Sequence, residues 1–227
     1  MLKQEIYTLV NNFAPYHTAE DWDCSGWIVN NSSNDVNKAL LCLTVTDDIY
    51  NQAVQKNCDI IISHHPLFYV PLKYKNINIF CAHTNLDKAN GGTTDALIQS
   101  LGLPAGEIAG EFLRICEFKT PVQNFGKKLC SLSENVRVVN NKRNDKLTKI
   151  AFCAGSGSEF LKEAAKNGAD ALVTGDVKFH TALESEIVIF DIGHFESEIP
   201  VLKVFENLLK DKVQIEYANE KSPFKSL

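Results

Sequence analysis

Five of the six histidines in this 227-residue chain fall in four short segments, each preceded by a run of apolar residues. The segments are SHHP (63–66), AHTNLD (82–87), TGDVKFH (174–180) and GHFESE (193–198), and their carboxylates include Asp87, Asp176, Glu196 and Glu198. Zn, Fe, Mn and Co sites use imidazole and carboxylate ligands of this kind, and no cysteine lies in these segments. One histidine taken alone is more often a hydrogen-bonded structural residue, but this grouping favours a metal site.

The adjacent pair His64 and His65 predicts more than one ion. In a regular strand the two side chains would point to opposite faces, and Pro66 helps to end the strand there. Two imidazoles that diverge at a strand end could each serve a different ion, and carboxylates can bridge two cations. His83 and His180, like Asp176, could orient ligands or act as acid/base groups, and the sequence leaves both roles open.

An internal duplication predicts the elements that position these residues. The segment from Lys38 (KALLCLTVTDDIYNQAVQKNCDIIISHHP) aligns without gaps with the segment from Lys149 (KIAFCAGSGSEFLKEAAKNGADALVTGDV). Asp59 meets Asp170, and INIF (77–80) is echoed by IVIF (187–190). Each copy indicates a strand, a helix and further apolar strands, which is typical of a parallel sheet covered on both faces. In such sheets ligands bind at the carboxyl ends of the strands, where the four segments lie.

The chain is therefore predicted to be an α/β protein with two similar, intertwined lobes. The first lobe spans 1–120 and is completed by 198–227, and the second spans 121–197. Between the copies we expect a strand at EFLRICEF, a helix at PVQNFGKKLCSLS and a strand at NVRVVN. A helix at EIPVLKVFENLLKDK and a strand at VQIEYA follow the second copy, and a helix that Pro15 closes opens the chain.

Composition narrows the class of protein. The chain is 44% hydrophobic and 22% charged, with a net charge of −5, so nothing supports a general nucleic-acid-binding surface. The start lacks a signal peptide's apolar core, and no stretch approaches a membrane span. Seven scattered cysteines without a CxxC pair fit reduced thiols better than a disulfide framework. We expect a cytoplasmic protein.

The ordered set SHHPLF, AHTNLD, TGDVKFH and GHFESE, with AEDWDCSGW near the start, resembles the Nif-three family of dinuclear-metal-centre proteins. Its members are known as GTP cyclohydrolase 1 type 2 homologues. The resemblance covers nearly the whole chain and corresponds to the short form of the family. It implies two divalent ions per chain (Zn, Fe, Mn or Co), held by His64, His65, Asp87, His194 and Glu198. It also implies two α/β lobes with the metals in the cleft between them, and a toroidal homohexamer.

The resemblance implies a dinuclear-metal hydrolase acting on a nucleotide, in its specific form a GTP cyclohydrolase that yields dihydroneopterin triphosphate and formate. His83 or His180 would then be the proton donor. The alternative is a non-enzymatic scaffold that binds or carries metal as a hexameric ring. Nucleic acid and membrane are not expected as partners.

Three further features carry less weight. Trp22 and Asp23 could shape a cleft wall, although a buried tryptophan with a capping aspartate is the commoner arrangement. AGSGS (154–158) could bind phosphate, but it lacks GxGxxG, and a plain strand-to-helix turn is favoured. Lysines near the site motifs could meet a triphosphate, namely Lys73, Lys75, Lys88 and Lys178.

Overall fold

The apolar run that precedes the histidine pair forms the central strand of a five-stranded sheet. The structure, a computed structural model, describes residues 1–225. Strand β3 (Ile60–Ser63) is buried along its whole length, as a strand covered on both faces must be. β2 (Lys38–Cys42) and β4 (Asn78–Cys81) flank it in parallel, and β11 (Gln214–Tyr217) pairs in parallel with β2. β1 (Gly26–Val29) runs antiparallel to β4, which completes the order β1-β4-β3-β2-β11.

The second sheet repeats this arrangement around β9 (Ala171–Thr174). β8 (Lys146–Phe152) and β10 (Val188–Asp191) flank it in parallel, and β7 (Arg137–Val139) lies antiparallel to β10. On the other side, β6 (Arg114–Pro121) and β5 (Glu107–Ile108) extend the sheet by antiparallel pairing. The order is β5-β6-β8-β9-β10-β7, so β7-β10-β9-β8 matches β1-β4-β3-β2 in both order and direction.

Nine α-helices lie within residues 1–225, and most of them connect strands. They are α1 (Lys3–Phe13), α2 (Asp47–Gln55), α3 (Thr84–Lys88), α4 (Thr93–Ser100), α5 (Val122–Leu129), α6 (Leu161–Lys166), α7 (Phe179–Glu184), α8 (His194–Glu198) and α9 (Leu202–Leu209). The crossover helix α2 begins where the Thr46 side chain accepts a hydrogen bond from the backbone N–H of Ile49, with Asp47 and Asp48 in its first turn. Acidic side chains there interact favourably with the helix dipole.

The duplication predicted from the sequence is confirmed at the level of single hydrogen bonds. The Asp59 carboxylate accepts from the backbone N–H groups of Asn37 and Lys38 at 2.8 and 3.0 Å. Asp170 accepts in the same way from Thr148 and Lys149 at 2.7 and 3.0 Å. Each aspartate therefore ties the start of the central strand of its sheet to a neighbouring parallel strand, at the start of β2 for Asp59 and within β8 for Asp170. The predicted α/β class with two similar halves is confirmed.

The boundary between the halves differs from the prediction. Unit 1 comprises Met1–Gly92 and Val201–Lys221, and unit 2 comprises Thr93–Pro200 with residues 222–225. The first unit was predicted to run to residue 120, with the C-terminal segment joining it from residue 198. The earlier boundary follows from pairing and packing. β6 hydrogen-bonds to β8 of the second sheet, and the α4 side chains of Leu97 and Ile98 pack in that unit's core.

Each unit buries its own apolar core. In unit 1 the core includes Leu40, Ile49 and Ile61, and in unit 2 Phe125 and Phe190 stack edge to face with ring centroids 5.2 Å apart. All seven cysteines lie in the described part of the chain as free thiols, five of them buried. None of the helices between residues 1 and 225 has both the length and the apolar character required to cross a membrane.

Candidate metal centre

The histidine pair follows β3 and continues its pairing with the β2 side of the sheet. The backbone N–H of His64 donates to the carbonyl of Cys42 at 3.2 Å, and that of His65 donates to Leu43 at 2.8 Å. This ladder fixes the backbone on which both imidazoles stand. His64 is buried and His65 is half-buried, with ring centroids 5.1 Å apart.

Both rings are held through Nδ1. His64 Nδ1 lies 3.0 Å from the carbonyl oxygen of Ala82, and His65 Nδ1 lies 2.7 Å from the hydroxyl of Thr44. His64 Nε2 lies 3.4 Å from Asp87 Oδ1, on helix α3. An imidazole nitrogen and a carboxylate oxygen thus meet at the end of β3, with the ring anchored on its far side.

His83 joins this cluster, and a buried carboxylate orients it. Its Nδ1 lies 3.0 Å from Asp23 Oδ1, and Asp23 also accepts hydrogen bonds from Ser25 and Thr84. Burial by itself would raise the pKa of Asp23, but the hydrogen bonds from His83, Thr84 and Ser25 outweigh it and hold the pKa well below its usual value. Trp22, expected to be buried, is 60% exposed and meets the His83 ring edge-on at 5.9 Å, because its neighbour Asp23 takes the inward position.

Unit 2 carries a second imidazole–carboxylate group on helix α8. His194 Nε2 lies 3.0 Å from Glu198 Oε2, one helical turn away, and His194 Nδ1 lies 2.7 Å from Asp176 Oδ2. The hydrogen bond with Glu198, reinforced by Asp176, outweighs burial and raises the pKa of His194 to about 9. The imidazole is therefore held between two carboxylates, an environment that also attracts a cation.

Two glycines allow the backbone to approach this group closely. A Cβ on Gly175 would lie 2.7 Å from the backbone of Gly193 and His194, so only glycine lets the end of β9 meet the start of α8. A Cβ on Gly155, whose φ is +68°, would lie 2.2 Å from Glu198 Oε1. The AGSGS stretch is thus a turn after β8 that packs against a predicted ligand, and its Gly155 N–H donates to Ser197.

An open cleft of about 480 Å³ borders His194 in unit 2. Its lining includes amide, cationic, acidic and aromatic side chains: Asn135, Arg137, Asp176, Glu196 and Phe224 among others. Arg137 donates a hydrogen bond to Asp191, which also accepts from the backbone N–H groups of Val177 and Gly193. Asp191 thereby fixes the two loops that carry Asp176 and His194.

The structure gathers the predicted ligands of each unit but separates one predicted acid/base residue. His64, His65 and Asp87 lie together in unit 1, and His194 and Glu198 lie together in unit 2. His180, on α7, lines a different cleft of unit 2 with Lys162 and Glu184. The lysines predicted to meet a triphosphate include two that form ion pairs, Lys73 with Asp47 and Lys88 with Glu20.

Sequence reasoning missed the groups that orient the rings. No sequence pattern indicated the roles of Thr44 and the Ala82 carbonyl, because those roles depend on which strands are neighbours in the sheet. Asp23 was noted, but its contact with His83 joins residues 60 positions apart.

The donor set fits first-row divalent ions. Imidazole nitrogen and carboxylate oxygen are the usual ligands of such ions. Metal-binding histidines commonly hold their second nitrogen in a hydrogen bond to a carboxylate or carbonyl, as His64 and His194 do here. Groups of histidine and glutamate side chains in this protein could therefore hold a metal ion.

The fold and these ligand groups define a class: a two-unit α/β protein with histidine–carboxylate metal-type sites after parallel strands. A profile of the Duf34/NIF3 (NGG1p interacting factor 3) family matches residues 1–223. The chain belongs to this family, which confirms the resemblance found in the sequence.

Individual relatives agree over almost the full length. A GTP cyclohydrolase 1 type 2 homolog of Clostridium perfringens is 30% identical, with 99% of each chain covered. A Bacillus cereus protein related to NIF3 has the same fold, with a TM-score of 0.91 at 21% identity over 100% of this chain and 99% of that one. Reduced HcgD from Methanocaldococcus jannaschii is 26% identical with a TM-score of 0.83, over 97% of this chain and 98% of that one.

Proposed function

We propose that this protein is a metal-dependent hydrolase whose centre uses His64, His65, Asp87, His194 and Glu198 to hold two divalent ions. One observation carries the proposal. In each unit an imidazole Nε2 stands beside a carboxylate oxygen, at 3.4 Å for His64 and 3.0 Å for His194, while Nδ1 is anchored elsewhere. The ligand set that the family resemblance implies includes residues of both groups.

Bound divalent ions would supply Lewis-acid activation of water and of the group attacked. The chain's own residues prepare for this. Asp87 and Glu198 supply negative charge, and Ala82, Thr44 and Asp176 fix the directions of the three ligand rings. His83 is the nearest further imidazole in unit 1, and His180 is the other histidine predicted to transfer a proton.

The substrate proposed is a nucleotide, with GTP as the specific candidate. The names of the relatives support a GTP cyclohydrolase reaction, in which the imidazole ring of guanine opens and formate is lost. The cleft beside His194 supports a nucleotide-sized ligand, since about 480 Å³ lies within the range of small-molecule sites. Phe224 could stack on a base there, and Arg137 carries the positive charge that a phosphate needs.

The test compares wild-type protein with His65→Ala after both are loaded with Zn²⁺, Mn²⁺, Fe²⁺ or Co²⁺. Formate release and pterin fluorescence are followed with GTP as substrate. We expect turnover by the wild type and a loss of at least about 100-fold in the variant, because one ligand is removed. Equal rates would reject the cyclohydrolase proposal and favour the alternative, a metal-binding scaffold.

We also propose that the chain assembles as a homohexamer, as its family resemblance implies. Three large apolar side chains of the segment after the histidine pair support a self-association surface. Phe68 is 73% exposed, Tyr69 80% and Leu72 86%. Contiguous apolar side chains of this size are uncommon on a surface that faces only water.

A further inference from the structure

The structure brings a third imidazole to the histidine pair of unit 1. The His83 ring lies 5.3 Å from His64 and 5.6 Å from His65, measured between centroids. One ligand atom of each of the three side chains lies within 4.8 Å of the other two. The ligand set implied by the family resemblance includes His64 and His65 but not His83.

Hydrogen bonds show which nitrogen each ring offers. A carbonyl oxygen can only accept, so the bond to Ala82 places the proton of neutral His64 on Nδ1 and leaves a lone pair on Nε2. The Asp23 carboxylate does the same for His83. The Thr44 hydroxyl can donate or accept, so it fixes the orientation of the His65 ring but not its tautomer. All three rings therefore use Nδ1 for these hydrogen bonds, and we infer that each would present Nε2 to an ion.

The buried carboxylate of Asp23 accepts several hydrogen bonds. Its side chain is fully buried, and besides His83 it accepts from the backbone N–H of Cys24, the Ser25 hydroxyl, and the backbone and hydroxyl of Thr84. The distances to these donors run from 2.6 to 3.1 Å. A carboxylate held this firmly fixes the ring plane of His83 before any ligand arrives.

The same spacing occurs in the other unit. His83, the residue immediately before α3, and Asp87 within α3 are four positions apart in the sequence, as His194 and Glu198 are within α8. His83 lies two residues beyond β4, and His194, the first residue of α8, lies three residues beyond β10. The duplication has therefore kept a histidine and a carboxylate with the same spacing at both places.

We propose that His83 is a third imidazole ligand of the metal centre in unit 1, beside His64 and His65, and that Asp23 is its supporting carboxylate. This inference rests on the proposed metal-dependent function and adds a ligand to it. The three imidazoles would hold a divalent ion through nitrogen, the usual ligand atom of histidine, while the hydrogen bonds at Nδ1 keep the rings oriented.

Metal affinity tests the proposal in the full-length protein. Zn²⁺ and Co²⁺ are titrated against a competing chromophoric chelator, with wild type, His83→Asn, Asp23→Asn and the control His17→Asn. His17 is an exposed histidine of the same unit outside the cluster. We expect His83→Asn to weaken binding by more than roughly 100-fold and Asp23→Asn by roughly 10- to 100-fold, with His17→Asn unchanged. If Asp23 had only a structural role, Asp23→Asn would lower the stability of the protein but leave the metal affinity of the folded protein unaltered.

His83→Asn binding within about threefold of wild type would overturn the proposal. A crystal of the Zn²⁺-loaded wild type gives an answer that needs no variant: anomalous density about 2.1 Å from His83 Nε2 supports it, and density bound only to other residues refutes it. Its failure is distinguishable from failure of the proposed function. Turnover of GTP without dependence of metal affinity on His83 rejects only the third ligand. His83-dependent binding without turnover rejects only the hydrolase.

Discussion

Replacing Gly175 by alanine should displace the start of α8 and with it His194. The added Cβ would lie 2.7 Å from the carbonyl carbon of Gly193 and from the backbone nitrogen of His194. An ordinary contact begins near 3.4 Å, so the two backbones must separate by about 0.7 Å. Both neighbours are main-chain atoms, and no side-chain rotation can relieve the clash.

Two magnitudes follow from this displacement. Overpacking of this kind costs about 1–3 kcal/mol in the free energy of unfolding. A shift approaching 1 Å at a ligand can cost on the order of 100-fold in function that depends on its position. We therefore expect Gly175→Ala to lower the midpoint of urea unfolding and to weaken Zn²⁺ binding, although it removes no ligand.

Gly126→Ala is the matched control in the same unit. Gly126 lies inside α5, and its added Cβ would meet Phe190 at 3.6 Å, an ordinary contact. Alanine is favoured over glycine in a helix by about 0.5–1 kcal/mol, so this variant should be neutral or stabilised. If Gly175→Ala unfolds at the wild-type midpoint and binds Zn²⁺ with wild-type affinity, the close approach of β9 and α8 does not position His194.

Three other predictions test different parts of the protein. Asp23→Asn should lower stability at neutral pH by about 1.5–3 kcal/mol, the usual worth of hydrogen bonds to a charged group. The pKa of folded Asp23 lies below its unfolded value of about 3.9, so the stabilisation by Asp23 is complete above that value and is lost as pH falls toward the folded pKa. Urea unfolding of the variant should therefore depend less on pH in that acidic range than unfolding of the wild type. A variant with the same pH dependence as the wild type would contradict this reasoning. Removing divalent ions with a chelator should lower the melting temperature, since an ion present at 100 times its Kd adds about 2.7 kcal/mol; an unchanged melting temperature after Zn²⁺ is restored would count against the site. Leu72→Asp should dissociate the proposed hexamer in sedimentation experiments while the circular dichroism spectrum is retained, and a wild type that sediments at its 25.3 kDa chain mass would rule the assembly out.

Sequence patterns predicted the strands and the duplication because both depend on local order. The run Ile60–Ile62 is apolar without alternation, which is typical of a strand buried on both faces, and it forms the centre of its sheet. Asp59 and Asp170 matched in the alignment, and they make the same pair of backbone hydrogen bonds. The order of strands and helices along the chain could therefore be predicted from local sequence patterns and from the internal alignment.

The unit boundary could not be derived this way. β6 follows unit 1 along the chain, but its partner strand β8 begins about thirty residues further on. The pairing of β6 with β8 assigns β6 to the second sheet, and this pairing cannot be read from the local sequence. Helix α4 has apolar residues that would suit either core, and only the packing of Leu97 and Ile98 assigns it to unit 2.

The sequence by itself determined which residue types could bind metal: imidazoles and carboxylates placed after parallel strands, repeated with a four-residue spacing. Only the tertiary structure decided which nitrogen each ring presents, because that depends on an acceptor from another part of the chain. Ala82 orients His64 from 18 residues away, and Asp23 orients His83 from 60 residues away. A ligand's identity is a property of one residue, whereas its direction depends on contacts that exist only after folding.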